Sequence, residues 1–199
     1  LFGGGPVFFR WEDFVFQFET QELVPKSQPI NFFKDIHEFT SSEKPLFQAS
    51  YYGGSQDDLP QEGGFTLYRY RDSYQYIEAL KDRHQVPYWA YYTRRNYRQD
   101  TSTLEEIGGF TLPTQRYEHL RFFEFPEPLP PGYYLVEANI GESDYQFCFQ
   151  VTDLSLYATV AEKATLLWVN DVKGGTPVIG ARATMEVSGE KVKTDSSGL

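Results

Sequence analysis

The last third of the sequence alternates short apolar segments with turns, and this alternation constrains the fold more than any other feature. Three segments have the composition of strands: Gly132–Ala138, Tyr145–Leu154 and Ala164–Asp171. The segments Gly174–Ala181 and Lys193–Gly198 contain the glycine, proline, serine and aspartate that turns favour. Strands that follow one another across such turns are typical of β-sandwiches. We therefore expect one extracellular-type β-sandwich domain to end here and another to begin, a modular design suited to reach and binding.

The composition supports strands and argues against two classes of partner. Of the 199 residues, 15 are tyrosine and 17 are phenylalanine, and aromatic residues make up 18% of the chain. Aromatic side chains suit the half-buried surface of a sheet. The net charge of −10 argues against a surface for nucleic acid or for an anionic membrane, because both need clustered positive charge. No apolar run approaches the roughly 18 residues of a membrane helix.

The ends of the sequence indicate a piece of a longer protein. The chain begins at Leu1 without a methionine or a leader, and it ends at Leu199 directly after a turn-like Asp-Ser-Ser-Gly sequence. We expect an excised or processed segment, so the lack of a signal peptide leaves export open. The single cysteine, Cys148, excludes a disulfide within the chain. Low cysteine content fits the cytosol and also fits bacterial envelope proteins, so it leaves the compartment open.

The predicted fold is all-β, with immunoglobulin- or fibronectin-like antiparallel β-sandwich domains and one short helix. Apolar alternation predicts strands at Val7–Arg10, Phe14–Phe18, Leu46–Tyr52, Phe65–Tyr70, Tyr117–Phe125, Tyr133–Ile140, Tyr145–Thr152, Ser155–Val160, Thr165–Asn170 and Ala181–Ser188. A polar loop is expected at Gly53–Gly64 and a helical turn at Ser102–Glu106. In the strand Tyr145–Thr152 we expect the aromatic residues to face the core. The alternate residues Gln146, Cys148 and Gln150 should then face water.

The helix is predicted at Ser73–Arg83, where the apolar spacing changes from that of a strand. Asp72 is placed to cap its first turn, with Gln75 as the partner of a capping box. Pro87 stops the helix from continuing. Its apolar side is expected to consist of residues at helical spacing, namely Tyr74, Tyr76, Ile77 and Leu80.

These segments divide into three regions. Residues 1–44 are a lead segment or the tail of a preceding domain, and residues 45–152 form a first β-sandwich. Residues 153–199 begin a second sandwich. Only about four strands are expected in this last region where a sandwich of this type needs about seven, so the second domain should be incomplete.

Residues with reactive or metal-binding side chains do not form a recognisable set. Cys148 lacks a base or cation close to it in the sequence that would lower the pKa of its thiol. The histidines His37, His84 and His119 are scattered. His37-Glu38 begins like the zinc motif H-E-x-x-H, but Ser41 stands where the second histidine belongs. We expect a strand thiol without a chemical role and no zinc.

The charged segments have ordinary explanations as well. Tyr91–Arg98 mixes aromatic residues with three arginines, which a nucleic acid could use, but a solvated face or salt bridges to the many carboxylates is the stronger expectation. Other acidic groups lack the spacing of a calcium loop or of an acid–base pair: Asp57–Asp58, Glu105–Glu106, Glu124 with Glu127, and Asp195–Gly198. We therefore expect no enzyme activity and no catalytic residue, cofactor-binding residue, metal site or cofactor.

Three stretches resemble the bacterial alpha-2-macroglobulin family. Leu129–Ala138 is similar to a strand near the end of one of its domains, and Phe149–Leu156 contains the Val-Thr-Asp-Leu junction found between consecutive macroglobulin domains. Leu166–Ala181, followed by Thr194–Gly198, resembles the opening strands and first hairpin of the next domain. Leu67–Arg71, with the helix after it, is similar to the middle of the preceding domain.

The resemblance implies a scaffold within an envelope protein that traps proteases. Members of the family often use a bait region and a thioester of the form cysteine-x-glutamate-glutamine, and the sequence Cys148-Phe-Gln-Val151 lacks that pattern. The implied role is non-catalytic, with binding through domain contacts to a protease target or to neighbouring domains of the parent chain. The implied location is the periplasm or cell envelope, with membrane anchoring only through N-terminal residues outside this sequence.

Two alternatives stay open. Gly174–Ala181 with Lys193–Gly198 also suits a carboxypeptidase-regulatory-like sandwich, the accessory module of outer-membrane receptors or transport complexes. The junction and the strand pair before it favour macroglobulin. The second alternative is a carbohydrate-binding β-sandwich, because the abundant aromatic residues suit a glycan platform as well as a packed core.

Overall fold

The computed structural model describes residues 7–11, 14–18, 30–32, 36–51, 60–87, 89–90, 93, 97–118, 120–141, 143–162, 164–185 and 189–199. Within these residues the elements are, in chain order, β1 (Val7–Trp11), β2 (Phe14–Phe18), β3 (Ile30–Phe32), β4 (Ile36–Phe39), β5 (Leu46–Tyr51), β6 (Glu62–Arg69), α1 (Ser73–Gln85), β7 (Glu105–Pro113), β8 (Gln115–Tyr117), β9 (Leu120–Glu124), β10 (Gly132–Ile140), β11 (Ser143–Val151), β12 (Leu154–Val160), β13 (Thr165–Asp171), β14 (Thr176–Pro177), β15 (Arg182–Thr184) and β16 (Lys191–Lys193). The prediction of an all-β fold with one short helix is confirmed.

Two sheets pack face to face to form the main sandwich. One has the strand order β4-β11-β10-β6-β7, and the other has the order β3-β5-β9-β8. The pairing is antiparallel except between β4 and β11, which run parallel, so the predicted antiparallel sandwich has one parallel edge strand. A sheet that is apolar on one face must bury that face against another layer, and here the second sheet provides it.

Aromatic side chains from both sheets fill the space between them. Phe47 and Phe123 come from the four-stranded sheet, and Phe65 and Phe149 come from the five-stranded sheet. Phe47 is fully buried, and its ring packs against the rings of neighbouring phenylalanines at centroid distances from 4.7 to 5.5 Å. The alternation of apolar residues along these strands therefore points one face of each sheet into a common core.

The outer face of the five-stranded sheet is buried where α1 lies across it. Tyr70 and Cys148 are each 2% exposed and pack with Tyr76 and Ala79 in a second apolar cluster. The prediction that Gln146, Cys148 and Gln150 face water is therefore wrong for the first two, which are buried. Strand alternation identified the two faces correctly, but it contains no information on whether a helix covers the second one.

The helix begins as predicted and ends two residues later, at Gln85. The Asp72 carboxylate accepts a hydrogen bond of 2.9 Å from the Gln75 amide, as an N-cap should. The Gln75 side chain accepts from the Arg71 amide at 2.8 Å, one residue earlier than in a standard capping box. The predicted apolar side is only partly right: the buried helical residues are Tyr76, Ala79 and Arg83, whereas Tyr74 and Ile77 are exposed.

Three other local predictions need correction. Glu62–Gly64, placed in a loop, already belongs to β6, where Gly64 pairs with Thr111 of β7. The helical turn expected at Ser102–Glu106 is a short turn that leads into β7. The single strand expected at Tyr117–Phe125 is divided between β8 and β9, which pair with each other beside Glu118, a residue with φ of 52°. A left-handed backbone at this position turns the chain back on itself.

The chain after residue 153 forms two small sheets. Strands β12, β13 and β14 form one sheet in that order, and β15 pairs with β16. The strand expected at Ala181–Ser188 is shorter than predicted, since β15 ends at Thr184 and residues 186–188 lie outside the described part. The division at residues 45 and 153 stays a prediction. The pairing of β3 with β5 and of β4 with β11 shows that residues before 45 contribute a strand to each sheet of the main sandwich.

The aromatic core predicts a large effect of one substitution. Phe47→Ala should lower the free energy of unfolding by about 3–5 kcal/mol, because it removes a fully buried ring and leaves a cavity. Urea denaturation measures this change. Tyr74→Ala, which truncates a 70% exposed ring on α1, should change the same free energy by no more than about 0.5 kcal/mol. Equal effects of the two changes would contradict the assigned core.

Candidate functional site

The residues that the sequence analysis considered for chemistry lie apart. His37 is in β4, where its ring packs edge-on against Phe47 and Phe147 at centroid distances of 5.1 and 5.7 Å. His84 is exposed in the last turn of α1, and His119 lies outside the described residues. In the described part of the chain, no three histidine, cysteine, aspartate or glutamate side chains are grouped to hold a metal ion. No described helix is long and apolar enough to cross a membrane.

Cys148 lies beneath α1 in an aromatic environment. Its thiol is 3.5 Å from the Tyr70 hydroxyl, and the Tyr70 hydroxyl also donates a hydrogen bond of 2.6 Å to the side chain of Gln99. Burial raises the pKa of the hydroxyl groups of both Tyr70 and Tyr76, because desolvation disfavours the phenolate. The thiol is thus enclosed between a strand and a helix and does not line a surface cleft.

A glutamine pair fastens the chain after α1 to the same sheet. The Gln99 amide donates to the Gln146 side chain at 2.7 Å, and the Gln146 side chain donates back to the Gln99 carbonyl at 3.0 Å. The Gln146 side chain also donates to Glu137 at 3.2 Å. These bonds satisfy the buried side-chain amide of Gln146, so a structural role accounts for the burial of this polar residue.

The structure describes one of the three arginines of the basic segment Tyr91–Arg98, namely Arg98. Arg94 and Arg95 lie outside the described residues. Arg98 donates to the backbone carbonyl of Asp144 at 2.6 Å and to that of Tyr97 at 2.9 Å. Arg98 is exposed, as expected for a solvated face, and its guanidinium also binds backbone carbonyls near the β10–β11 turn.

The most distinctive surface is the sheet formed by β12 and β13. All seven residues of β12 are exposed. Residues directly opposite in an antiparallel pair share one face of the sheet. Leu156 lies opposite Val169, so one face is aliphatic, with Leu154, Leu156 and Val160 exposed by 51%, 63% and 78%. We call this the aliphatic face.

The opposite face of the same two strands is aromatic and polar. Tyr157 lies directly opposite Trp168, and the two side chains are 62% and 43% exposed. Ser155, Thr159 and Asn170 flank them on the same face. The Trp168 indole donates a hydrogen bond of 3.0 Å to the Ser197 carbonyl, which fixes one edge of the ring.

Among the strands that the structure describes, none pairs with the outer edge of β12. The strand is at the end of its sheet. Two bonds of 2.8 Å, from Val172 N to Asp153 O and from Ala161 N to Ala164 O, determine which residues of β12 are hydrogen-bonded to β13. The alternate residues Leu156, Ala158 and Val160 therefore direct their amides away from β13. An uncharged, exposed strand edge is a template for pairing with another strand.

The β15–β16 hairpin carries a small group of cations. Arg182 lies directly opposite Lys193, and Lys191 is on the same face, opposite Thr184. The four side chains line an open cleft together with Val192. Like charges directly opposite one another weaken a hairpin. This basic group stands out because the chain as a whole has a net charge of −10.

Comparison with known proteins identifies the fold. No protein-family model matches the chain, and no curated protein matches it in sequence. A structure of native alpha-2-macroglobulin from Escherichia coli that spans domains NIE-MG1 matches with a TM-score of 0.56 and 12% identity, over 85% of this chain and 83% of that one. A second structure of that protein, spanning MG0-NIE-MG1, matches with a TM-score of 0.54 and 14% identity, over 93% of this chain and 59% of that one.

These similarities show that the chain has the fold of macroglobulin-like β-sandwich domains. They agree with the resemblance found at Leu129–Ala138 and at the Val-Thr-Asp-Leu junction. At such low sequence identity the shared fold carries no function with it. What the structure adds beyond the fold is the exposed β12–β13 sheet, which the sequence analysis anticipated only as an incomplete second domain.

The burial of Cys148 predicts a slow thiol. In the folded protein it should react with an aromatic disulfide reagent at least about a hundredfold more slowly than in urea, because the reagent reaches the sulfur only after local opening. Absorbance of the released thiolate measures the rate. Cys148→Ser should abolish the signal. Similar rates in the folded and the unfolded protein would contradict the burial of this side chain.

The two buried tyrosines predict a loss of stability at high pH. Their pKa values are raised in the folded state, so their contribution is complete below the ordinary tyrosine pKa of about 10 and decreases as the pH rises above it. The free energy of unfolding should fall by up to about 1.4 kcal/mol per pH unit for each such tyrosine. Urea denaturation between pH 8 and 11 tests this, and Tyr70→Phe should reduce the slope. An unchanged slope would exclude Tyr70 as a cause.

Proposed function

We propose that this chain is a non-catalytic scaffold segment of a bacterial alpha-2-macroglobulin-like inhibitor that traps proteases, and that it binds through contacts between domains. One observation carries this proposal: the aliphatic face of β12 and its open edge are exposed, although apolar strands normally pack against another layer. The fold shared with Escherichia coli alpha-2-macroglobulin supports the same class of protein.

The partner is a protein, either a neighbouring domain of the same polypeptide or a protease target. Leu154, Leu156 and Val160 provide apolar area, and the outward-facing backbone amides of Leu156, Ala158 and Val160 provide hydrogen bonds for a strand laid along the edge. The net charge of −10 makes nucleic acid an unsuitable partner. We place the protein in the periplasm or cell envelope, on the strength of the alpha-2-macroglobulin resemblance.

A site-specific cross-linking experiment tests this proposal. In a Cys148→Ser background, Leu156→Cys places a benzophenone label on the aliphatic face, and the labelled chain is irradiated in periplasmic extract. We expect capture of a protease or of a polypeptide with further macroglobulin-like domains, identified by mass spectrometry. Tyr117→Cys is the matched control, because it labels a 66% exposed position on β8 of the main sandwich.

Two results would contradict the proposal. One is equal capture from both positions, which would indicate non-specific contact. The other is capture from Leu156→Cys of proteins that are neither proteases nor macroglobulin-like. The purified chain should also leave a fluorescent casein substrate uncleaved, and cleavage that survives repurification would show that the chain is an enzyme.

The aromatic face gives one specific reason to test a carbohydrate-binding role as well. Tyr157 and Trp168 form an exposed aromatic pair flanked by hydroxyl and amide groups, which suits the stacking and hydrogen bonding of a sugar ring. Tryptophan fluorescence, titrated with soluble oligosaccharides, detects this binding. A saturable shift that Tyr157→Ala abolishes would favour this second function over the first.

A further inference from the structure

The chain passes from the main sandwich to the β12–β14 sheet through only two residues. Strand β11 ends at Val151 and β12 begins at Leu154. The Thr152 amide donates a hydrogen bond of 2.9 Å to the carbonyl of Phe39 in β4, and the Asp153 carbonyl accepts one of 2.8 Å from Val172. The backbone of this link is thus bonded to the sandwich on one side and to the following sheet on the other.

The side chain of Asp153 faces back to the sandwich. One carboxylate oxygen accepts the Ser41 amide at 2.8 Å, and the other accepts the Ser41 hydroxyl at 2.7 Å. Ser41 lies in the turn between β4 and β5, which is closed by bonds of 2.8 and 2.9 Å from the Thr40 amide and hydroxyl to the Glu43 carboxylate. Two bonds from one residue in a closed turn fix both the position and the plane of the carboxylate.

Lys173 completes the contact from the opposite side. It lies in the turn after β13, where its amide donates to Asp171 at 2.9 Å. Its ammonium group is 3.3 Å from the Asp153 carboxylate and also donates a hydrogen bond to the Ser41 hydroxyl. A hydroxyl donates one bond and accepts others, so Ser41 serves both charged partners at once. The side chains of Asp153 and Lys173 are 27% and 43% exposed, which shields the contact in part from solvent.

We infer that Ser41, Asp153 and Lys173 form a latch that fixes the direction in which the β12–β14 sheet leaves the main sandwich. Among the described elements, extensive packing stays within the strands before residue 153 or within those after it. Units joined by a short link without a large interface move relative to one another by default. The latch supplies cross-links that the link alone lacks, since Ser41 belongs to one unit, Lys173 to the other and Asp153 to the link.

The consequence is a fixed presentation of the aliphatic face. Holding a binding surface in one orientation lowers the entropy cost of association. This inference concerns the orientation of two units and does not depend on the identity of a partner, so it stands or falls separately from the proposed function.

The distance between two spin labels tests the latch. In a Cys148→Ser background, Thr111→Cys labels an exposed position of β7, and Thr165→Cys labels the end of β13 farthest from the link. Double electron–electron resonance should give one narrow distance distribution in this labelled protein. Asp153→Ala should widen the distribution at least about twofold, because it removes both bonds from Ser41 and the ion pair with Lys173 and leaves only the bond between Lys173 and Ser41 across the two units.

Single changes at the other two positions separate the contacts. Ser41→Ala removes the hydroxyl but keeps the amide bond, and Lys173→Met removes only the ammonium group, so each should widen the distribution less than Asp153→Ala does. Lys191→Met is the matched control, because it removes an exposed cation of the same region that lies on β16, outside the latch. It should leave the width unchanged.

The inference is overturned if Asp153→Ala folds, as judged by its near-ultraviolet circular dichroism, and leaves the width unchanged. It is also overturned if the distribution is already broad before any latch residue is altered. If Asp153→Ala does not fold, Ser41→Ala and Lys173→Met decide the matter. Widening in both then supports the latch, and an unchanged width in either one excludes it.

Discussion

The burial of both faces of the β10–β11 hairpin is the constraint on which the rest of the structure depends. One face carries Tyr134, Val136 and Phe149 into the aromatic core, and the other carries Leu135 and Cys148 under α1. Because the hairpin is apolar on both sides, it must lie at the centre of three layers. The four-stranded sheet and the helix are those outer layers, and β4 and β6 pair with its two edges. The link to the following sheet leaves directly from its last strand.

Features set by neighbours in the sequence were predictable. Asp72 caps α1 because an aspartate oxygen reaches an amide three residues later. The helix ends at Gln85, because Pro87 disfavours a helical backbone at Val86, which is extended. The β10–β11 hairpin follows from apolar alternation around Gly141, whose φ of 63° suits a tight turn. In each case the information lies within about four residues of the position that it determines, so a single sequence contains it.

Features set by distant residues were not predictable. Strand β7 begins Glu-Glu-Ile-Gly-Gly, a sequence with low strand propensity, and it is extended because β6 pairs with it. The parallel pairing of β4 with β11 joins residues 112 positions apart, such as Phe39 and Val151. Asp153 was visible as part of the Val-Thr-Asp-Leu junction, but its partner Ser41 is equally distant in sequence. Sequence alone identifies the polar residue at a junction and leaves its partner unknown.

The contrast between the two parts of the chain bears on what the molecule does. The main sandwich buries the phenylalanines of its core, such as Phe47 and Phe123, whereas β12 exposes apolar residues on both of its faces. The link beside β12 is bonded on both sides. Exposed apolar strands are a liability unless another chain or domain covers them. A flexible tether would present such a strand in many directions and invite non-specific pairing. A link that the latch holds in one orientation restricts β12 to partners that approach from one direction. An assembly of stacked domains requires that property.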